Sequence, residues 1–354
     1  MHILVISSGY PNEYVPLDGI FYRDQAEALK LAGHEVGVVS AIPVSVFSFL
    51  KLRKWKFGKK KFIQNGVRTY THTYLNRPKS PAYPLRKAKK YGMDLLKDYI
   101  HEYGKPEIVH LHCIEGGELA LEIKNTYGIP YIVTEHSSSF LLGLVPGVLE
   151  PVIQKVYEQA AVRIAVSNYL KQTLEEKYRL DFQYVPNIVD ISAFDIDPAG
   201  TKKAPFTFVH VAGLNANKNQ AMLINAFRLL SIKFPDVHLA IVGDGPLRSE
   251  LEQMANDLGL FRKIYFYGHQ SREQLLKIYN ESHAFVLSSF KETFGVVLIE
   301  AMSCGLPVIA TKCGGPESII TEPYLGELSE IDVESLSLAM EKVYLNRTDY
   351  RANE

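Results

Sequence analysis

The stretch SFKETFGVVLIEAMSCGLPVIAT, residues 289–311, decides the fold of the second half of the chain. It follows Ala284–Leu287, an apolar run of the length and density found in buried strands of parallel sheets. A loop with Glu292 comes next, then a helical pattern over Val296–Ser303, and then a second apolar run, Pro307–Ala310. The order of strand, loop, helix and strand predicts one parallel βαβ unit.

Two glutamates and a glycine in this stretch are candidates for binding a ligand. Glu300 lies eight positions after Glu292, about 12 Å away if the interval were helical throughout. Glu300 is also embedded in the apolar run 296–302, where a carboxylate needs a polar partner. Gly295 lets the backbone approach a ligand, and the free N–H groups of the following helical turn suit a phosphate. The pattern favours a site in which Glu292 and Glu300 bind the two ends of a sugar–diphosphate–ribose ligand. The alternative is that both glutamates are only solvated.

Apolar runs and helical patterns alternate along all 354 residues, a length that suits two domains. The alternation starts at His2–Ser7 and starts again at Phe206–Val211. Residues 196–205 between the halves are rich in Pro, Gly and charge, as interdomain linkers are. We predict an α/β fold of two Rossmann-like parallel-sheet domains that face a cleft, residues 1–195 and 206–354.

The formal net charge is zero, but the two halves carry opposite charge. Residues 1–180 contain 24 basic and 17 acidic residues, a net of +7, and residues 181–354 contain 15 and 22, a net of −7. The overall balance argues against a protein that binds nucleic acid through bulk positive charge. A hydrophobic content of 47% argues against a disordered chain.

Residues 46–62, the basic segment, lie in a region without acids that runs from Glu35 to Asp94. Seven Lys and Arg between Lys51 and Lys61 are interleaved with Phe and Trp. Basic and aromatic side chains together suit an anionic membrane surface, so we predict peripheral membrane contact here. The alternatives are a basic loop that binds an anionic saccharide and one that is only solvated.

Neither the cysteines nor the apolar segments indicate export or insertion into a membrane. The three cysteines match no C-x-x-C spacing, which predicts neither a disulfide framework nor a zinc site. The N-terminal MHILVISSGYP lacks the charged and long apolar parts of a signal peptide, and no apolar run is long enough to span a bilayer. We expect a cytoplasmic protein, peripheral on the inner face of the membrane if the basic segment reaches it.

The motifs of this chain resemble those of the retaining glycosyltransferases of family 4, which have the GT-B fold. The Glu-x7-Glu pattern of residues 289–311 is the most specific of them, and further blocks follow the family order along nearly the whole chain. These are GIFYRDQAEALKLAGHEV (19–36), VHLH (109–112), VTEHSS (133–138), AVSNYLK (165–171), VPNIVD (185–190), LNANKN (214–219), IVGDGPLRSEL (241–251), YGHQS (267–271) and GGPE (314–317). The resemblance implies transfer of a sugar from a UDP-, GDP- or ADP-sugar to a glycan or lipid-linked acceptor in cell-surface polysaccharide biosynthesis, with no metal or other cofactor.

The resemblance also implies roles for single residues. Glu292 would hold hydroxyls of the donor sugar, Glu300 would bind the ribose, and Lys218 would neutralise the diphosphate as the bond to the sugar breaks. For Lys218, an exposed lysine at a helix start is the alternative. The remaining donor-binding positions are Gly19 near the phosphate, His269 near the nucleobase, and the backbone amides of Phe294, Gly295 and Val296. A turn glycine at residue 19 and a plain surface loop at residue 269 are the alternatives there.

His112 and His136 each follow a strand of the first half at its carboxyl end, where sites of open parallel sheets cluster. The resemblance implies that both face the donor sugar, and we predict that they position its hydroxyls or orient the acceptor rather than act as bases. A lone histidine at a strand end is usually structural, but two at adjacent strand ends favour a site. With Lys218 and Glu292 they form the predicted catalytic set.

One position departs from the family pattern. The family usually has an arginine five residues before the lysine, where this chain has Gly213, so the diphosphate site lacks a cation unless another basic residue supplies it. Gly213 also favours the alternative of a non-catalytic nucleotide-sugar sensor. A nucleotide-sugar epimerase or phosphorylase of the same fold is the other alternative, and the missing G-x-G-x-x-G turn argues against a dehydrogenase.

Overall fold

The computed structural model describes residues 1–12, 19–45, 56–76, 83–191, 194, 196, 202 and 204–350, and of residues 83–85 the backbone only. The chain divides into two compact units, Met1–Ile188 and Val189–Glu354. The predicted linker falls mostly outside the described residues, so the domain limits given above stay a prediction.

The first unit contains an eight-stranded sheet in the order β3-β4-β2-β1-β5-β6-β7-β8. Its pairings are parallel, except that β3 runs antiparallel to β4. The strands are β1 (His2–Ser7), β2 (Glu35–Ser45), β3 (Gly58–Gln64), β4 (Val67–Asn76), β5 (Ile108–His112), β6 (Tyr131–Glu135), β7 (Val162–Ala165) and β8 (Gln183–Tyr184). The helices are α1 (Ile20–Leu31), α2 (Tyr83–Tyr103), α3 (Gly117–Tyr127), α4 (Glu150–Gln159) and α5 (Asn168–Tyr178). Because β5 and β6 are neighbours, the two strand ends with the predicted histidines lie side by side.

Strand β3 overlaps the end of the basic segment and is not predicted by the sequence pattern. Its sequence GKKKFIQ shows no alternation of apolar and polar residues, which is the usual signal of a half-buried strand. The Lys59 Nζ lies 2.9 Å from Asp98 Oδ2 of α2, and Lys61 pairs with Glu102 of the same helix. The helix therefore neutralises two of the lysines that suggested a membrane contact. Residues 46–55 lie outside the described residues.

The second unit contains a six-stranded, wholly parallel sheet in the order β11-β10-β9-β12-β13-β14. The strands are β9 (Phe206–Val211), β10 (Val237–Val242), β11 (Ile264–Gly268), β12 (Ala284–Leu287), β13 (Val308–Thr311) and β14 (Gly326–Ser329). The helices are α6 (Gln220–Lys233), α7 (Arg248–Asp257), α8 (Arg272–Glu281), α9 (Val296–Ser303) and α10 (Val333–Leu345). The strand order reverses between β9 and β12, and ligands of such sheets bind outside the carboxyl ends of the strands at this switch point.

Both faces of the second sheet are buried, which explains its continuous apolar runs. In β10, Leu239 and Ile241 belong to one hydrophobic cluster, and Ala240 and Val242 belong to the cluster on the other face. A strand buried on both sides shows no alternation, so its length and its apolar density are the usable signals. The strand β14, GELS, has neither and is not predicted.

Among the described residues, no helix is both long and apolar enough to span a bilayer. Nor are three His, Cys, Asp or Glu side chains grouped as a metal site in this part of the chain. Cys113, Cys304 and Cys313 are buried free thiols.

Candidate functional site

Two side chains of the second unit, Lys218 and Glu292, meet beside the switch point of the sheet. Lys218 follows β9 and Glu292 follows β12, and the Lys218 Nζ lies 2.5 Å from Glu292 Oε2. The Ser289 hydroxyl donates to the same carboxylate oxygen at 3.3 Å. The side chains of the ion pair are 23% and 15% exposed, so the pair is sheltered but within reach of a ligand. The structure thus brings two of the predicted catalytic residues together.

Asn217 fastens the loop of Lys218 to the loop of Glu292. Its side-chain amide donates to the Lys291 carbonyl at 2.9 Å, and its side-chain oxygen accepts the Lys291 N–H at 3.2 Å. Its backbone carbonyl accepts the N–H of Phe290 at 2.8 Å. Three hydrogen bonds therefore fix one loop against the other. Sequence reasoning missed Asn217, although the repeated asparagines of LNANKN signal a loop held by side-chain hydrogen bonds.

The helix α9 begins just after Gly295, whose φ of +105° lies in the left-handed region that favours glycine. The loop before this helix packs closely on another loop, since a Cβ at Gly315 would lie 2.3 Å from the Phe294 carbonyl oxygen. The predicted donor amides of Phe294, Gly295 and Val296 are thus held at the N-terminal end of α9. The first N–H groups there have no partner within the helix, and the helix dipole favours an anion.

Glu300 has the polar partner that its apolar surroundings require. Tyr279 is fully buried and donates its hydroxyl to Glu300 Oε2 at 3.3 Å. Burial, together with the nearby carboxylate, raises the pKa of Tyr279. The interval between the two glutamates is helical only from Val296 onward, so the separation expected for a continuous helix does not apply. His269 lies exposed just after β11.

Gly213 lies in an exposed loop position that can accept a side chain. A Cβ there would meet only ordinary contacts, 3.5 Å from Asn215 Nδ2 and 3.9 Å from the Asp244 carbonyl oxygen. Its φ is outside the left-handed region, so the backbone does not require glycine. The fold therefore has room for a side chain at residue 213, and sterics do not explain why the arginine is missing.

In the first unit, the two predicted histidines contact each other directly. His112 ends β5 and His136 follows β6, and His112 Nδ1 lies 2.9 Å from His136 Nε2. His112 is fully buried, whereas His136 is 9% exposed. Burial lowers the pKa of His136 to about 3 and that of His112 well below its usual value. Both imidazoles are therefore neutral at pH 7, and of the two only His136 keeps any exposed area, although its Nδ1 is buried.

Helix α1 covers the histidine pair. The ring centroid of Tyr22 lies 5.2 Å from that of His112. Gly19 forms the N-cap of this helix with a φ of +70°, and a Cβ at Gly19 would lie 2.7 Å from the Gly9 carbonyl oxygen. Close approach of two backbone segments therefore requires glycine at position 19, and its contact with a phosphate stays a prediction.

A buried carboxylate lies directly behind the histidine pair. Glu135 Oε1 accepts the N–H of His136 at 3.0 Å and that of Ser137 at 2.8 Å, and its Oε2 accepts the Tyr157 hydroxyl at 3.0 Å. Glu135 is fully buried, and burial raises its pKa to about 7, with a further contribution from the negative charge of Glu115. Sequence reasoning missed Glu135, although a glutamate in the apolar run YIVTE is the same signal that pointed to a site in the second half.

Two family models match successive parts of the chain. The model described as Glycosyltransferase Family 4 matches residues 19–193, and the model described as Glycosyl transferases group 1 matches residues 193–353. Together they account for nearly the whole sequence.

Curated relatives match over part of their length. The chain is 34% identical over 136 residues to the phosphatidylinositol N-acetylglucosaminyltransferase gpi3 subunit of Schizosaccharomyces pombe, which covers 38% of this chain and 30% of the relative. It is 30% identical over 238 residues to the N-acetyl-alpha-D-glucosaminyl L-malate synthase of Bacillus anthracis, which covers 64% of this chain and 61% of the relative. The chain spans less than two thirds of the length of the curated relatives it matches.

Solved structures match over almost their whole length. Sucrose-phosphate synthase from Thermosynechococcus elongatus superposes with a TM-score of 0.77 at 20% identity, covering 100% of this chain and 92% of that one. Anabaena HepE in complex with UDP and glucose gives a TM-score of 0.74 at 18% identity, with coverage of 100% and 94%. The lipopolysaccharide outer core galactosyltransferase WaaB gives 0.67 at 18%, with coverage of 100% and 93%. At these identities the similarity shows a shared fold.

Proposed function

Because the chain belongs to the group 1 glycosyltransferases of family 4 and has the GT-B fold, as its motifs predicted, we propose that it transfers a sugar from a nucleotide-sugar donor to an acceptor. The observation that carries this proposal is the contact of Lys218 with Glu292 beside the N-terminus of α9. A cation, a carboxylate and free backbone amides in one place match the diphosphate and the hydroxyls of such a donor.

Donor binding exchanges the partners within this site. Lys218 turns from Glu292 to the diphosphate and neutralises the charge that develops there as the bond to the sugar breaks. Glu292 then accepts hydrogen bonds from hydroxyls of the donor sugar. The remaining donor contacts are the amides of Phe294, Gly295 and Val296 to the diphosphate, Gly19 near the phosphate, Glu300 to the ribose and His269 beside the nucleobase.

The reaction retains the configuration at the anomeric carbon. The bond from this carbon to the phosphate oxygen breaks, a bond to the acceptor oxygen forms on the same face, and the departing phosphate oxygen takes the proton of the acceptor hydroxyl. Because the phosphate serves as the base, neither histidine has to remove a proton. The neutral ring of His136 orients a hydroxyl of the acceptor, and His112 holds that ring.

The donor is a UDP-sugar by preference, with GDP- and ADP-sugars as alternatives. The Anabaena neighbour binds UDP and glucose, and both curated relatives have N-acetylglucosaminyl in their names, so a hexosyl or N-acetylhexosaminyl group is transferred. The acceptor is a saccharide or a lipid-linked saccharide of cell-surface polysaccharide biosynthesis, made on the cytoplasmic side. The similarity to a lipopolysaccharide galactosyltransferase supports this class of acceptor.

Contact with an anionic membrane through the basic segment belongs to the same proposal. Lys59 and Lys61 are already paired with carboxylates of α2, so the attraction depends on the other basic residues of the segment. Replacing these by glutamine should abolish cosedimentation with vesicles that contain phosphatidylserine. Binding that persists unchanged in the variant, or that never occurs in the wild type, contradicts the membrane contact.

A thermal-shift panel of UDP-, GDP- and ADP-sugars tests the donor site, with Glu300→Ala as the control for a ribose contact. The cognate donor should raise the melting temperature of the wild type and raise it less in the variant. Lys218 and the N-terminus of α9 supply the positive charge, so the proposal requires no metal, and EDTA should leave the shift unchanged. A panel in which no nucleotide sugar shifts the transition contradicts the proposed donor class.

A nucleotide-sugar sensor without turnover is the second candidate. It is favoured by Gly213, which leaves the diphosphate site with one cation fewer than the family pattern has. If acceptor extracts cause release of the nucleoside diphosphate, and Lys218→Ala abolishes this release, the sensor is excluded. Donor binding with no release of the diphosphate under any condition supports it.

A further inference from the structure

We propose, building on the function proposed above, that Glu135 is a positioning residue that fixes His136 through its backbone. The strand β6 ends at Glu135, so the next two residues leave the sheet. One oxygen of the carboxylate accepts both of their N–H groups, from His136 at 3.0 Å and from Ser137 at 2.8 Å. The side chain thus replaces the hydrogen bonds that the neighbouring strand no longer supplies.

The ring of His136 is constrained from the other side. His112 Nδ1 lies 2.9 Å from its Nε2, and the ring centroids of Phe21 and Tyr22 lie 5.2 and 5.6 Å from its own. A hydrogen bond between two ring nitrogens is lost when either ring moves by about 1 Å. The ring keeps this contact only while the backbone that carries it is fixed, and Glu135 provides that restraint.

Tyr157 occupies the other oxygen of Glu135. Its hydroxyl donates at 3.0 Å, and both side chains are fully buried. A buried carboxylate lowers stability unless donors surround it, and an apolar residue of the same volume is often at least as stable. The carboxylate in β6 is therefore better explained by the loop geometry that it imposes than by a gain in stability.

Four variants separate positioning from stability. Glu135→Leu removes both acceptors, whereas Glu135→Gln keeps an oxygen for the two N–H groups and turns its NH2 toward the Tyr157 oxygen. Tyr157→Phe removes only the hydroxyl bonded to Glu135 and leaves both N–H acceptors in place, so it should lower the melting temperature and keep most of kcat. Tyr131→Phe is the matched control. Tyr131 lies at the opposite end of β6 from Glu135, and the variant removes a buried hydroxyl that donates to the Val156 carbonyl of α4.

Steady-state transfer rates and melting temperatures of these variants test the proposal. Glu135→Leu should lower kcat by up to about tenfold, the loss expected when His136 itself is removed, with donor KM changed less than about threefold. Glu135→Gln should recover most of this loss, and Tyr131→Phe should leave kcat unchanged at a lowered melting temperature. The proposal is overturned if Glu135→Leu keeps its kcat, or if the glutamine variant loses as much as the leucine variant.

The ring nitrogens of His112 and His136 provide a readout that does not depend on turnover. In 15N NMR spectra, Glu135→Leu should shift the resonances of the bonded His112 Nδ1 and His136 Nε2, and Tyr131→Phe should not. Unchanged resonances in the leucine variant contradict positioning, whether or not the enzyme is active. If the wild type shows no turnover but Glu135→Leu still shifts these resonances, the proposed function is contradicted and the positioning of His136 is supported.

Discussion

The two sites differ in how they treat charge. In the second unit, Lys218 and Glu292 neutralise each other at 2.5 Å in a place that a ligand can reach. In the first unit, His112 and His136 are neutral, and burial keeps them so. Under the proposed function, the site of the second unit exchanges its internal ion pair for a charged ligand. The histidine pair of the first unit stays uncharged and is held by its buried neighbours.

The largest expected effect comes from removing the exchangeable cation. Lys218→Ala should lower kcat by about 10²–10³-fold, because the developing charge on the diphosphate loses its stabilisation. Lys233→Ala is the matched control, since Lys233 is an exposed lysine that pairs with Glu341 at 2.6 Å in the same unit. Turnover of a nucleotide sugar measures both. Equal rates for Lys218→Ala and Lys233→Ala would show that Lys218 does not stabilise the leaving group.

Acid should destabilise the chain, because its buried histidines are neutral in the folded state. The pKa of His136 falls from 6.5 to about 3 and that of His110 to about 4, so below pH 6.5 the unfolded chain binds protons that the folded chain does not. The free energy of unfolding therefore falls as the pH decreases from 6.5 towards 4, by about 1.4 kcal/mol per pH unit for each histidine. Glu135 opposes this, because its raised pKa of about 7 lets the folded state bind a proton above pH 4.5.

Urea unfolding at pH 7 and pH 4.5 measures the balance of these groups. Four histidines with lowered pKa values, His110, His136, His210 and His283, outweigh the two carboxyls with raised pKa values, Glu135 and Glu115, so the wild type should be less stable at the lower pH. His136→Asn should reduce the difference between the two pH values. A difference as large as that of the wild type would mean that His136 is not a buried neutral base.

A smaller effect distinguishes the two histidines. Because His112 is fully buried and contacts His136, it acts on a ligand only through the His136 ring. Single alanine variants should each lower kcat by about tenfold, and the double variant should be no worse than the more severe single variant. The exposed His101→Ala serves as the control. Losses that multiply in the double variant would show that each histidine contacts the substrates independently.

The smallest effect tests the missing arginine. Gly213→Arg should lower the KM of the donor about fivefold, because a partly exposed cation contributes up to about 1 kcal/mol. Gly213→Ala adds a Cβ without the charge and should leave the KM unchanged. If both variants behave alike, the change comes from the backbone and the site has no need of a second cation.

The order of strands and helices could be predicted because each buried element has a dense apolar pattern. The predicted strand His2–Ser7 and the predicted helix Val296–Ser303 have the observed bounds. Strand β3 was missed, because its lysines Lys59 and Lys61 are neutralised by carboxylates of α2 that lie 39 and 41 residues further along the chain. No local pattern contains that information.

The candidate site shows the same limit. The resemblance assigned roles to Lys218 and Glu292 one by one, whereas their contact and the bonds from Asn217 join residues 74 positions apart. The apolar run around Glu135 indicates its burial, but the hydrogen bond that it accepts from Tyr157 of a separate helix cannot be read from that run. Sequence patterns report the face on which a residue lies, and long-range hydrogen bonds are decided only when the elements pack.

The paired hydrogen bonds between Asn217 and Lys291 have a consequence for protein engineering. They join the two loops that carry Lys218 and Glu292 into one hydrogen-bonded unit, so a change in the backbone of one loop alters its contacts with the other. Exchanging donor preference between relatives by grafting the loop of Glu292 alone would place a foreign backbone against Asn217. A graft of both loops, residues 213–219 together with 288–295, keeps the hydrogen bonds between positions 217 and 291.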